Sequence, residues 1–188
     1  MASDIPMIEK PATIRQLGTV HLGDVKQLVA QLPQALWAAE TSRRANDYFC
    51  FHDTEHILFV FMHGENHENY VEKPLWNFWK PKLMPLIEQA VKPYGYERGV
   101  VVKAMFAKLK ARGKITKHID YVTRDQHVHK IHIPIITNPA VKMLVGTEEF
   151  YLQEGEAYEV NNLIYHAVNN DSDEDRVHFI FEYYNRQA

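Results

Sequence analysis

The stretch that decides the fold is Lys130-Ile131-His132-Ile133-Pro134-Ile135, in which every second residue is an isoleucine. In a β-strand this alternation puts the isoleucines on one face, and Lys130 and His132 on the other. The run that begins at Arg176 repeats the pattern, with Arg176 and His178 on one face. An ordinary antiparallel sheet would turn such polar faces to water, whereas a closed barrel would bring them together in its interior. The alternation alone leaves both arrangements open.

The first half of the chain predicts helices and the second half predicts strands. Apolar residues recur at helical spacing from Asp24 to about Arg43, where Pro33 predicts a kink or a break, and again from Leu75 to Ala90. Short β-rich runs separated by turn residues follow from Val100 to Tyr184. We therefore expect an α+β fold, in which N-terminal helices support a double-sheet β-sandwich or barrel.

Length, charge and cysteine content restrict the class of protein. The 188 residues are 46% apolar and 24% charged, which predicts a single globular domain over residues 1–188. The net charge of −3 provides no basic field and argues against nucleic acid as a partner. Cys50 is the single cysteine, so no intrachain disulfide can form. With no signal-peptide pattern and no apolar run long enough to span a bilayer, we expect a cytoplasmic protein without a membrane partner.

The candidate metal-binding motif is His118-Ile119-Asp120, followed by His166 forty-six residues after the aspartate and by Arg176 ten residues further on. Two histidines and one carboxylate suit non-haem Fe(II) and leave the opposite coordination positions open. If both lie on one strand, His118 and Asp120 share a face about 6.6 Å apart. In a chain with eleven histidines the triplet alone is close to chance, and a solvated strand edge would also explain it.

The segment from Lys114 to Tyr184 resembles the aspartyl/asparaginyl β-hydroxylase-like branch of the Fe(II)/2-oxoglutarate dioxygenases, which includes bacterial proline hydroxylases. The matching blocks, in chain order, are His118-Ile119-Asp120, Lys130-Ile131-His132-Ile133-Pro134-Ile135, Glu154-Gly155-Glu156-Ala157-Tyr158, Asn161-Asn162-Leu163-Ile164-Tyr165-His166-Ala167-Val168-Asn169-Asn170 and Arg176-Val177-His178-Phe179-Ile180-Phe181-Glu182. One position departs from the pattern. The family commonly has Arg-x-His where this chain has Lys130-x-His132, and a lysine keeps the charge but loses the bidentate fork.

The resemblance implies a double-stranded β-helix (jelly-roll, cupin-like) core supported by the N-terminal helices. It implies that Fe(II) is bound by a catalytic triad consisting of His118, Asp120 and His166. It implies that 2-oxoglutarate is the co-substrate and is bound by Arg176, Lys130 and His132, with Arg176 on its distal carboxylate. Dioxygen is then the second co-substrate, with ascorbate as an added reductant. The implied activity is hydroxylation of an unactivated C–H bond of an amino acid, or of an amino-acid residue in a peptide or protein.

Two other functions stay open at this point. The chain could be a non-catalytic, cupin-like binding module, although an intact triad together with Arg176 argues against a decayed site. It could also be a cupin-type metalloenzyme that does not use 2-oxoglutarate. The substrate cannot be read from the sequence, because the residues that would select it are expected in loops. The candidate loops are Gly64–Tyr70 and Tyr121–Gln126.

Overall fold

The structure is a computed structural model that describes residues 7–43, 49–63, 69–120 and 123–186. The helices are α1 (Val25–Ala30), α2 (Gln34–Ser42) and α3 (Trp76–Val91). The strands are β1 (Ile14–Thr19), β2 (Thr54–Met62), β3 (Tyr70–Glu72), β4 (Gly99–Leu109), β5 (Lys114–His118), β6 (His129–Ile136), β7 (Val141–Val145), β8 (Glu148–Phe150), β9 (Glu156–Val160), β10 (His166–Asn170) and β11 (Arg176–Asn185). Short 3₁₀ helices occupy Phe49–Phe51, Lys92–Tyr94 and Thr123–His127.

The strands form two sheets in which every pairing is antiparallel. The larger sheet has the order β1-β9-β6-β11-β4-β2-β3, and the smaller one has the order β5-β10-β7-β8. Chain neighbours such as β10 and β11 lie in different sheets, so the chain passes repeatedly from one sheet to the other. The predicted α+β layout is therefore present, with the β-sandwich that it required.

The two faces of the larger sheet differ in the way that the alternation predicts. The apolar face packs against the helices, and its fully buried members on β6 and β11 are Ile131, Ile133, Ile135, Phe179 and Phe181. Burying a side chain of this size contributes about 1.5–3 kcal/mol. The opposite face lies between the two sheets and carries the polar side chains, which include the buried His132, Arg176 and His178. The polar face of the larger sheet is thus buried in the interior and not exposed to water.

Prolines affect the helices at two places. The expected break at Pro33 is confirmed, because α1 ends at Ala30 and Pro33 occupies the N-cap position of α2. Pro81 and Pro85 instead lie inside α3, on its exposed side. The residues whose carbonyl groups lose a helical partner, Asn77 and Pro81, are exposed, so water can satisfy these groups. This is why α3 continues through two helix-breaking residues.

In the part of the chain that the structure describes, no helix is long and apolar enough to cross a membrane. The candidate loop Gly64–Tyr70 lies largely outside that part and Tyr121–Gln126 only partly, since residues 64–68 and 121–122 are not described.

Candidate metal centre and co-substrate cavity

Two antiparallel strands of the smaller sheet place the two histidines side by side. His118 is the last residue of β5, His166 is the first residue of β10, and the register pairs them directly. Their ring centroids are 4.2 Å apart. Asp120 does not lie on the strand as predicted, because β5 ends at His118. Its backbone N–H instead donates to the carbonyl oxygen of Asn162 at 3.1 Å, which brings the carboxylate beside the two imidazoles.

The three side chains present one ligand atom each to a common point. Nε2 of His118 is 3.5 Å from Oδ1 of Asp120, and Nε2 of His166 is 3.8 Å from the same oxygen. Nδ1 of His118 lies 2.8 Å from the carbonyl oxygen of Thr116, and Nδ1 of His166 lies 3.0 Å from that of Ile164. A carbonyl oxygen only accepts, so Nδ1 carries the proton and Nε2 keeps its lone pair for a metal. One ligand atom from each residue lies within 4.8 Å of the others.

The charges at this site suit a divalent cation. Burial alone would raise the pKa of Asp120, but the positive charge of Lys130 holds it well below its usual value. Burial lowers the pKa of His166 to about 4. At neutral pH the aspartate is therefore ionised and the His166 imidazole is neutral, which are the protonation states that a metal requires. Nζ of Lys130 contacts Oδ2, the oxygen of Asp120 that faces away from the histidines.

Arg176 lies deep between the two sheets, where it is only 2% exposed. Burial lowers the pKa of its guanidinium to about 10, so the group stays charged at neutral pH. Within the described residues, its Nε atom is buried without a hydrogen-bond partner, and so are Nε2 of His132, Nε2 of His178 and Oγ1 of Thr137. Leaving a buried polar group unsatisfied costs about 1–3 kcal/mol. Such a cluster around a buried cation is suited to an anionic ligand that would satisfy it.

A narrow cavity adjoins Arg176 and His178, and apolar side chains form most of its wall. Its other lining residues are Thr137, Val141, Met143, Phe150, Leu152 and Val168. Burial also holds the pKa values of His132 and His178 well below the usual histidine range, so both rings are neutral at physiological pH. The cavity therefore has one positive charge and several neutral polar groups in an apolar surrounding, where the attraction of an anion is strong.

The structure brings together nearly all of the residues that the sequence singled out. His118, Asp120 and His166 form the candidate metal site, and Arg176 with His132 belongs to the buried polar cluster. Lys130 contacts Asp120, and a role toward the co-substrate stays a prediction. Sequence reasoning did not assign His178 and Thr137. His178 could have been included because it shares a strand face with Arg176 two residues away, whereas Thr137 gave no signal.

Solved structures of known proteins share this fold at low sequence identity. An oxidoreductase of the 2OG-Fe(II) oxygenase family from Burkholderia pseudomallei matches with a TM-score of 0.56 and 13% identity, over 89% of this chain and 94% of the other. A viral collagen prolyl hydroxylase from Paramecium bursaria Chlorella virus-1, in complex with 2OG, matches with a TM-score of 0.53 and 10% identity, over 93% and 97% of the two chains. HygX from Streptomyces hygroscopicus, with nickel and 2-oxoglutarate bound, matches with a TM-score of 0.52 and 10% identity, over 92% and 83%. The fold is thus the double-stranded β-helix of the 2OG-Fe(II) oxygenases, and the predicted fold class is confirmed.

Family membership follows from the sequence itself. A model of the aspartyl/asparaginyl beta-hydroxylase family matches residues 76–186, which is more than half of the chain. The chain belongs to this family, as its resemblance predicted. A search of curated protein sequences found no match to the chain.

The buried histidines predict a pH dependence of stability in the metal-free protein. His132, His166 and His178 have pKa values below the usual 6.5 or so, so the unfolded chain binds more protons than the folded one as the pH falls. Between pH 7 and 5.5 each histidine should remove about 1 kcal/mol of the free energy of unfolding. Burial raises the pKa of Asp125 to about 6, so this residue acts in the opposite direction and increases the free energy of unfolding by less than about 1 kcal/mol. We expect a net loss of about 2–3 kcal/mol, measured by urea unfolding at the two pH values.

The matched variant for this measurement is His178→Gln. This variant removes one titrating group from the interior. The free energy of unfolding that it loses between pH 7 and 5.5 should therefore be smaller than in the wild-type protein, by about 1 kcal/mol. Equal unfolding free energies of the wild-type protein at the two pH values would contradict the buried, neutral state of the three histidines.

Proposed function

We propose that this protein is an Fe(II)- and 2-oxoglutarate-dependent dioxygenase that hydroxylates an unactivated C–H bond, with residues 1–188 acting as one catalytic domain. The observation that carries the proposal is the triad of His118, Asp120 and His166, together with a buried Arg176 that lines a small cavity between the two sheets. The triad alone would fit several metalloenzymes. A buried cation with unsatisfied polar neighbours, adjoining an otherwise apolar cavity, adds a site for an anionic co-substrate.

Each residue has a definite task in this proposal. His118 and His166 would bind Fe(II) through Nε2, and Asp120 would bind it through Oδ1. The bound metal, together with 2-oxoglutarate and dioxygen, supplies the oxidising chemistry that turns C–H into C–OH, with release of succinate and carbon dioxide. Arg176 would pair with the distal carboxylate of 2-oxoglutarate through a charge-assisted contact, which the dry cavity strengthens.

Polar groups in and beside the cavity would orient the co-substrate. His132 and His178 are neutral, and each ring can donate one N–H or accept one hydrogen bond. Lys130 would add a positive charge on the metal side, as the family resemblance implies. The apolar walls exclude water, so the co-substrate is held by a small number of oriented contacts.

The substrate belongs to the same proposal. The description of the family points to an amino acid, or to an amino-acid residue in a peptide or protein, as the hydroxylated group. One structural neighbour is a viral collagen prolyl hydroxylase. Both classes of substrate therefore need to be tested.

One assay separates the three functions that the sequence leaves open. The purified protein is incubated with Fe(II), 2-oxoglutarate, ascorbate and dioxygen in the presence of free amino acids or a peptide library. Succinate and the gain of one oxygen atom by a substrate are then measured by mass spectrometry. We expect both products, and both should disappear when 2-oxoglutarate is left out.

Each other outcome would contradict the proposal in a recognisable way. An oxidised product that forms without 2-oxoglutarate would indicate a cupin-type metalloenzyme. Absence of succinate under all conditions, in a protein that is folded and binds Fe(II), would indicate a binding module.

A further inference from the structure

The contact between Lys130 and Asp120 has a consequence for the coordination of the metal. We propose that Lys130 is a positioning residue that occupies Oδ2 of Asp120 and thereby keeps this carboxylate monodentate. The triad then fills three coordination positions of the metal and leaves three open. This inference rests on the proposed metal site and assigns Lys130 a task that does not involve the co-substrate.

The two oxygens of Asp120 have different neighbours. Oδ1 faces Nε2 of His118 at 3.5 Å and Nε2 of His166 at 3.8 Å. Oδ2 is in contact with Nζ of Lys130. A carboxylate can bind a cation through one oxygen or through both. Because a fixed ammonium group holds Oδ2, the carboxylate can offer only Oδ1 to the ion between the histidines.

Lys130 lies opposite an acidic residue of the larger sheet. It lies on β6 directly opposite Glu182 of β11, and Glu182 is opposite Lys103 of β4. Nζ of Lys103 is 3.0 Å from Oε1 of Glu182, and the Glu182 side chain is only 2% exposed. Charges of alternating sign therefore follow one another across three neighbouring strands and end at Asp120. The Lys130 side chain is only 12% exposed, so solvent weakens its attraction to Asp120 very little.

The proposed reaction needs three open positions at the metal. An octahedral metal ion has six coordination positions, and the facial triad takes three of them. Chelation by 2-oxoglutarate requires two more, and one must stay accessible to dioxygen. A bidentate Asp120 would take a fourth position and compete with one of these reactants. Keeping Asp120 monodentate is thus a condition for binding both co-substrates at once.

The test counts water molecules on the metal without any turnover. Mn(II) is added to the metal-free protein in the absence of 2-oxoglutarate, and the number of rapidly exchanging water ligands is obtained from the relaxation rates of water protons. We expect about three water ligands in the wild-type protein and about two in Lys130→Met, because the released Oδ2 also coordinates the ion. Lys130→Arg keeps the charge and the N–H donors, so it should restore the wild-type number.

Lys103→Met is the matched control. It removes the same charge from the same sheet face, yet Lys103 contacts Glu182 and not Asp120. A general electrostatic effect would change both variants alike, whereas the proposal requires that Lys103→Met keeps the wild-type number of waters. If circular dichroism shows that Lys130→Met is unfolded, Lys130→Ala provides the same measurement with a smaller side chain.

The outcomes distinguish this inference from the proposed function. The same number of water ligands in wild type, Lys130→Met and Lys130→Ala would overturn the positioning role and leave the metal site intact. The same reduction in Lys130→Met and Lys103→Met would also overturn it. A wild-type protein that does not bind Mn(II), Fe(II) or Co(II) would overturn the metal site itself, and the positioning role with it.

Discussion

Replacement of His166 by alanine is expected to lower the affinity for Fe(II) by at least about a hundredfold, because changes to the outer-shell partners of a metal site already cost 10–100-fold. His166 is buried and holds its Nε2 toward Asp120 through the hydrogen bond of Nδ1 to the Ile164 carbonyl. Alanine removes one of the three ligands, and the two that remain no longer form a complete facial triad. Anaerobic equilibrium dialysis with Fe(II) measures the change directly, and formation of succinate should be lost in parallel.

A control must separate the loss of a ligand from the loss of a buried imidazole. His178→Ala serves this purpose, because His178 is also a buried histidine between the sheets but is not part of the ligand set. It should bind Fe(II) with wild-type affinity when 2-oxoglutarate is absent. If His166→Ala bound Fe(II) and decarboxylated 2-oxoglutarate as well as the wild-type protein does, the metal site would lie elsewhere.

Local rules of sequence were sufficient for several parts of this fold. Pro33 ends a helix because the ring and the missing N–H act on the residues next to it. The alternation along β6 and β11 separates helix-facing from interior residues, because side chains of a strand point to opposite faces at every step. The alternation therefore identifies the polar face but does not tell whether that face is exposed or buried. It is buried because the smaller sheet covers it, and this depends on the fold of the whole chain.

The parts that the sequence did not predict depend on distant pairings. The pairing of β1 with β9 is irregular between Gln16 and Gly18, where Gly18 has a φ of 117°, and most side chains of β1 are exposed. This strand therefore lacks the alternation that marks a strand. Asp120 was expected on the strand of His118, but pairing with β10 ends at His118 and the chain turns toward Asn162. The contact of Lys130 with Asp120 joins the larger sheet to the segment that follows β5, and it depends on how distant parts of the chain pack, which no local pattern encodes.

Replacement of Arg176 by alanine is expected to raise the apparent KM for 2-oxoglutarate by about 30-fold or more, since truncating one partner of a buried charge pair costs about 2–5 kcal/mol. Arg176 is buried and remains charged, with its Nε atom among the unsatisfied groups of the described residues. A carboxylate that enters the cavity would satisfy it. The measurement is succinate formation as a function of 2-oxoglutarate concentration, together with Fe(II) binding in the absence of 2-oxoglutarate, which should not change.

The contact of Arg176 with the distal carboxylate can be tested with a co-substrate analogue. 2-Oxobutyrate keeps the keto acid that would chelate the metal but lacks the distal carboxylate, so it has no group for Arg176 to bind. The wild-type protein and Arg176→Ala should therefore bind 2-oxobutyrate equally weakly, while they differ strongly toward 2-oxoglutarate. Arg176→Lys keeps the charge without the bidentate fork and should fall between the two. An unchanged KM for 2-oxoglutarate in Arg176→Ala would remove this residue from the co-substrate site.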